Sequence, residues 1–366
     1  MRLGIDVSTY LEEKLANAKY FDAGKEFDPY DAFKKQNVSL IRLRVWNDPT
    51  ENGKDYLGGT NSLENDLKII EDLKKYNFSY IIDFHYSDFW VDPAKQTLPK
   101  AWKDLSYEAI LKEVYNYTKQ SLLEIKKTNV DVPYVQIGNE ITEGILWPYG
   151  KLIHQENGPR LGYDNFSEIL KAGIKAAKEV FPNTKIIIHL ERSNDANVYE
   201  ELFTEITKRN VNYDVIGMSY YPYWHGSFKE LFTNVNNCQN KFHKPVMIME
   251  LGFGFTLEDY LLTNNGHSEL KVTKENLKAE LPYDISPTGQ ALFIEDFLSR
   301  CEKNHIEGVV YWEPLWIPGD SICWASPEGQ VYINEPGRPT RNEWSNQCLV
   351  DYKGNKLPAF DKFRLK

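Results

Sequence analysis

Short runs of apolar and β-branched residues recur along the chain, separated by longer stretches whose apolar positions fall at helical spacing. The runs are "LGIDVST" from Leu3, "SLIRLRVW" from Ser39, "SYIIDFHYS" from Ser79 and "YVQIGNE" from Tyr134, then "KIIIHLE" from Lys185, "VIGMSYYP" from Val215, "PVMIMELG" from Pro245 and "GVVYWEP" from Gly308. Near-continuous apolarity, rather than strict alternation, marks strands buried on both faces, as in a parallel sheet covered by helices. Among the intervening stretches, "SLENDLKIIEDLKKYN" sets Leu67, Ile70 and Leu73 on one face behind an N-cap at Ser62. "NFSEILKAGIKAAKEVFP" does the same with Ile169, Leu170, Ile174 and Ala177 and stops at Pro182; "PTGQALFIEDFLSRCEKN" opens with Pro287 and Thr288. Eight strand–helix units predict an α/β chain folded as a (β/α)8 TIM barrel, a single domain over residues 1–366. The surplus length falls in loops after strands two, three, four, seven and eight.

A barrel of this kind presents its chemistry at the C-terminal ends of its strands. Those ends carry Asp6, Arg44, Trp46, Asp83, His85, Asp88, Asn139, Glu140, His189, Glu191, Tyr220, Tyr221, Glu250, Trp312 and Glu313. An acid that closes an apolar strand is costly unless it is solvated, paired or used. Glu140 closes the fourth run and Glu250 the seventh, and those strands face each other across the mouth. Two carboxylates on one cleft are the equipment of a glycoside hydrolase, one a protonated acid and the other ionised. Strand capping through a salt bridge explains either acid alone better than it explains the pair beside Asn139.

The formal net charge of −10 and pI near 5.4 argue against nucleic acid or an anionic membrane as partner. No apolar segment reaches bilayer length. The 9 Trp and 23 Tyr suit a packed core and a sugar-stacking cleft equally well. Cys238, Cys301, Cys323 and Cys348 lack C-x-x-C spacing, which argues against zinc and favours buried thiols; a Cys323–Cys348 bridge is the alternative for a secreted chain. "MRLGIDVSTY" enters a strand at once, so the expectation is a cytoplasmic protein, the alternative being secretion with a leader outside this sequence.

Longer motifs carry a resemblance. "RLRVWNDP", "IIDFHYSDFWVDPAKQTLPKAW", "VQIGNEITEGILWPYG", "IGMSYYPYW" and "GVVYWEPLWIPG", in register from about Gly4 to "LVDYKGNKLPAF", resemble the arabinogalactan endo-β-1,4-galactanases of glycoside hydrolase family 53, in clan A of retaining enzymes. The resemblance implies hydrolysis of β-1,4-galactan or galacto-oligosaccharides with retention, Glu140 as acid/base and Glu250 as nucleophile, with the carboxyls about 5–5.5 Å apart. It implies that Arg44 sits beside Glu250 and holds it ionised, that Asn139 binds the sugar 2-hydroxyl, and that Tyr221, in preference to Tyr220, donates to the nucleophile. Trp312 would floor the reacting subsite, and Trp46, His85, Asp88, Trp90 and Trp316 would line the cleft. A monomer needing no cofactor is expected. Many relatives bind calcium in the loop after strand seven, where this chain offers Thr263, Asn265, His267 and Glu269, a poor copy with one carboxylate. Three places depart from the family: Leu251 after the nucleophile, Glu143, and "LERSNDANVY" after strand five. They point to altered substrate subsites. The rival readings are another clan A β-glycosidase, a trimming enzyme for short oligosaccharides, and a galactan-binding barrel without catalysis.

Overall fold

The computed structural model describes all residues except 263–267, 274–276, 278–279 and 366. Eight strands lie where the apolar runs predict them: β1 (Arg2–Asp6), β2 (Val38–Val45), β3 (Ser79–Phe84), β4 (Asp131–Ile137), β5 (Lys185–Leu190), β6 (Val215–Tyr220), β7 (Val246–Leu251) and β8 (Gly308–Trp312). Each pairs in parallel with its sequence neighbours, and β1 pairs with β8 to close the barrel. A helix follows each strand: α1 (Pro29–Lys35), α2 (Leu63–Leu73), α3 (Tyr107–Lys127), α4 (Tyr163–Val180), α5 (Ala196–Lys208), α6 (Phe228–Phe242), α7 (Pro287–Lys303) and α8 (Pro358–Lys362). Local chemistry sets their starts. Ser62 accepts from the Asn65 backbone N–H, and Ser227 forms a reciprocal capping box with Glu230.

The barrel is filled in layers. Leu40, Ile81, Tyr134, Ile187, Val215, Met247, Met249 and Val310 form an apolar plug. Gly217 leaves room for it: a Cβ there would stand 2.8 Å from Met249 Cγ and 2.9 Å from Ile187 Cγ2. Side chains alternate across a strand, so the positions two residues on from Leu40, Ile81 and Tyr134 form the next inward layer. These are Arg42, Asp83 and Gln136, all buried. The plug closes the bottom, and this polar layer is the floor of the mouth. Among the described residues all four cysteines are buried free thiols, and no helix is long and apolar enough to cross a membrane.

Candidate active site

Two local irregularities aim the two acids. Strand alternation places Met247 and Met249 in the barrel and would send Glu250 outward. The register of β7 slips, however, so that Met218 pairs with Ile248 but Ser219 pairs with Glu250. This bulge turns Glu250 into the mouth. At the end of β4, Gly138 (φ +82°) and Glu140 (φ +49°) both adopt left-handed backbone. A Cβ on Gly138 would meet Ile141 at 2.7 Å and Ile145 at 2.8 Å, so the turn needs glycine there. A non-glycine residue held left-handed is a strained conformation of the kind that gathers at functional sites. It brings Asn139 and Glu140 to the cleft together.

Glu250 is held on both oxygens. Arg42 Nη1 donates to Oε1 at 2.9 Å, and Tyr221 Oη donates to Oε2 at 2.9 Å. Arg42 also donates to Asp6 (2.9 Å), Asp83 (2.8 Å) and Asn139 Oδ1 (2.9 Å), so one buried guanidinium orders the whole floor. Among the described residues no cation pairs with Glu140; its Oε1 accepts from Ser219 Oγ at 2.7 Å. A carboxylate oxygen of Glu140 lies within 4.8 Å of one on Glu250. Burial raises both carboxyls above the usual range. Glu140 is driven further by the charges of Glu250 and Glu191, whereas Arg42 and Tyr221 pull Glu250 back. Of the two, Glu140 is therefore the carboxyl whose surroundings favour the proton. The ligand atoms of Glu140, Glu250 and His189 are close enough for an ion, but hydrogen bonds already engage all three groups, and the set fits proton transfer better than coordination.

The structure places the expected cleft residues in two groups. His85, Trp90, Asn139, Tyr221 and Trp312 line the cleft, a cavity of about 490 Å³, together with both acids. Tyr221 is the donor to Glu250; Tyr220 instead packs on Phe297 and donates to the Gly226 carbonyl. Four expectations need correction. Arg44 lines the cleft but does not touch Glu250: it donates to Glu313 at 2.7 Å and to the Gly58 carbonyl, with its guanidinium 4.4 Å from the Trp90 ring centre. It lies one layer above Arg42, which takes the role expected of it. Trp46 is wholly buried and donates through Nε1 to His85 Nδ1 at 3.0 Å, which leaves His85 Nε2–H to Asp83. Asp88 is buried and accepts from the Asp48 and Lys100 backbone N–H groups, pinning the loop after β3. Trp316 is buried behind Trp312. None of these last three reaches the cavity. In the loop after β7, Thr263, Asn265 and His267 lie outside the described residues, and the described Glu269 donates its backbone N–H to Asp259.

The cleft also contains residues that strand ends could not reveal. Trp324 and Trp344, from the long loop after β8, join Trp90 and Trp312 in an aromatic wall: Trp90 stacks on Trp324 at 4.7 Å, and Trp344 stands edge-on to Trp312 at 4.8 Å. Glu191 and Arg192 also line the cleft and bring charge to it. Glu143 pairs with Arg192 at 2.8 Å, tying the loop after β4 to the end of β5. Leu251 is core, so that departure lies outside the cavity. A wall of flat apolar rings beside two carboxyls with different partners is suited to holding a sugar by its C–H face while a glycosidic bond is broken.

Comparison with known proteins agrees with that chemistry. The model of the family "Glycosyl hydrolase family 53" matches residues 2–363. An endo-β-1,4-galactanase of Bacillus subtilis (strain 168) is 32% identical over 99% of this chain and 85% of its own length. An arabinogalactan endo-β-1,4-galactanase of Cellvibrio japonicus is 29% identical over 99% and 90%. The solved GH53 catalytic domain of Ignisphaera aggregans superposes with a TM-score of 0.86 at 34% identity, covering 99% of this chain and 95% of that one.

Proposed function

The chain belongs to glycosyl hydrolase family 53, and from that premise we propose that it is an endo-β-1,4-galactanase in which Glu250 is the nucleophile and Glu140 the acid/base. The carrying observation is the asymmetry of the two acids. Glu250 sits under a guanidinium and a phenol, whereas Glu140, across the cleft, is met by the Ser219 hydroxyl and, among the described residues, by no cation. An oxygen of each lies within 4.8 Å of the other, close enough for both to reach one glycosidic bond. Glu250 attacks the anomeric carbon as Glu140 protonates the leaving oxygen. The glycosyl-enzyme is then hydrolysed by water that Glu140, now ionised, deprotonates. Asn139, oriented by Arg42 at 2.9 Å, is the residue for the 2-hydroxyl of the reacting sugar. Trp312 and Trp90 hold its apolar face. Proton transfer and covalent catalysis complete this cycle with no cofactor.

Product analysis over time on β-1,4-galactan and on short β-1,4-galacto-oligosaccharides tests the reading, with Glu250→Gln as control. Mixed oligomers of retained anomeric configuration, absent with the variant, are the expected result. Cleavage of oligomers alone would turn the reading into a trimming enzyme, and inverted products would overturn the assignment of Glu250.

A further inference from the structure

Ser219 and His189 are buried and have no part in the mechanism above. Ser219, on β6, lies between Glu140 and His189: its Oγ is 2.7 Å from Glu140 Oε1 and 2.9 Å from His189 Nε2. His189 Nδ1, on the far side of the ring, lies 3.1 Å from Gln136 Nε2 and 3.0 Å from Asn139 Oδ1. Burial and the nearby Arg42 charge keep the ring neutral, so it has a single N–H to place. Gln136 Nε2 has two hydrogens, and its two nearest acceptors are the Gly138 carbonyl at 3.0 Å and Nδ1 itself at 3.1 Å; Asn139 Oδ1, which accepts from Arg42 Nη2, lies farther from it at 3.3 Å. Arg42 Nε donates to Gln136 Oε1 and so turns the Gln136 amide nitrogen toward Nδ1. Nδ1 therefore accepts, and the proton sits on Nε2, facing Ser219. Ser219 Oγ accepts that hydrogen, and its own hydrogen points at Glu140 Oε1.

We propose that Ser219 and His189 are positioning residues for the acid/base: they keep Oε1 of Glu140 an acceptor throughout the cycle, so that the catalytic proton leaves from and returns to Oε2. In the first step the Oε2 proton passes to the glycosidic oxygen as the C–O bond breaks and its electron pair stays on that oxygen. In the second, a proton of the attacking water passes to Oε2. Ser219 keeps its own hydrogen in both. In the opposite His189 tautomer, Nε2 would draw the Ser219 hydrogen away from Oε1. The Glu140 proton would then turn to Ser219 and away from the substrate. Gln136 and Arg42 hold the ring against this from the floor.

This inference rests on the reading of Glu140 as proton donor, and the experiment separates the two. A donor on Oε1 favours the ionised carboxylate, so its loss raises the pKa of Glu140. The other ionisable groups around Glu140 are Glu250 on β7, Glu191 beyond β5, Asp92 in the loop after β3 and Tyr221 after β6. Ser219→Ala leaves all four in place. The basic limb of kcat/KM on a galacto-oligosaccharide is expected to move up by about one pH unit in Ser219→Ala. The rate is also expected to fall more on the oligosaccharide than on an aryl galactoside whose leaving group needs no proton. His189→Asn, which takes the ring donor away from Ser219, is expected to shift the limb in the same direction by less. A basic limb unmoved in both folded variants, or an equal loss on both substrates, would overturn the relay. Glu140→Gln reports on the underlying reading: it is expected to abolish oligosaccharide cleavage while sparing aryl galactoside turnover to the glycosyl-enzyme, and retained oligosaccharide cleavage would overturn the donor role itself.

Discussion

Arg42 and Arg44 stand two positions apart on β2, both point into the barrel, and both are buried among acids, yet they serve different layers. Arg42 holds Asp6, Asp83 and Glu250 at 2.8–2.9 Å. Arg44 holds Glu313 and underlies the ring of Trp90. The guanidinium of Arg42 favours the ionised nucleophile, and a lysine cannot reproduce its fork of contacts. Arg42→Lys is therefore expected to raise the pKa of Glu250 and move the acid limb of kcat/KM to higher pH by about one unit. It should also destabilise the fold by roughly 3 kcal/mol, because it leaves buried carboxylates short of a partner. Arg44→Lys is expected to weaken KM through the aromatic wall and leave the acid limb in place. Paired pH profiles of the two variants check this, and a shift confined to Arg44→Lys would reverse the assignment. Both arginines were visible in "SLIRLRVW", and so was their shared face. Which one reaches Glu250 was not, because that depends on how high each strand stands in the closed barrel.

Among the elements, strands and helix caps were legible because their signals are local. Ser62 caps α2 where the motif put it, and β5, β6 and β8 begin at Lys185, Val215 and Gly308, as read. The bulge in β7 was not legible. "PVMIMELG" alternates no differently from a regular strand, and the slip arises from pairing with β6 and β8. The apolar plug beneath the site depends on β6 in a similar way. Gly217→Ala would force a methyl to within 3 Å of Met249 and Ile187. Overpacking of this kind costs about 1–3 kcal/mol. A lowered urea midpoint is expected, with Ser219 and His189 displaced just above. A midpoint equal to wild type would show that the plug yields at no cost.

Over the whole molecule, burial of acids gives stability a direction with pH. Burial pushes Asp88 to about 6, Glu191 to about 7 and Glu12 to about 8, and raises Glu13, Asp66 and Glu313 as well. A carboxyl whose pKa is higher folded than unfolded binds a proton that the unfolded chain has released. Its contribution is complete below the unfolded value and is lost as pH rises through the folded one. The urea midpoint is therefore expected to fall between about pH 5 and pH 8. A midpoint that climbs through this window would show that these acids are ionised in the fold.

Periodicity alone determined the eight-stranded barrel, since buried parallel strands and amphipathic helices each have a repeat that short segments display. The two acids, Asn139 and Tyr221 were also readable, because chemistry on this fold collects at strand ends and the motifs there are long. Tertiary structure decided the rest. It turned Glu250 inward through a bulge, chose Arg42 over Arg44, and put Trp46, Asp88 and Trp316 behind the cleft. It also brought Trp324 and Trp344 from one loop to face acids more than seventy residues away in the chain. Those outcomes depend on the closure of the barrel and the stagger between its strands, and no local repeat records the height or facing of a side chain once the sheet has closed.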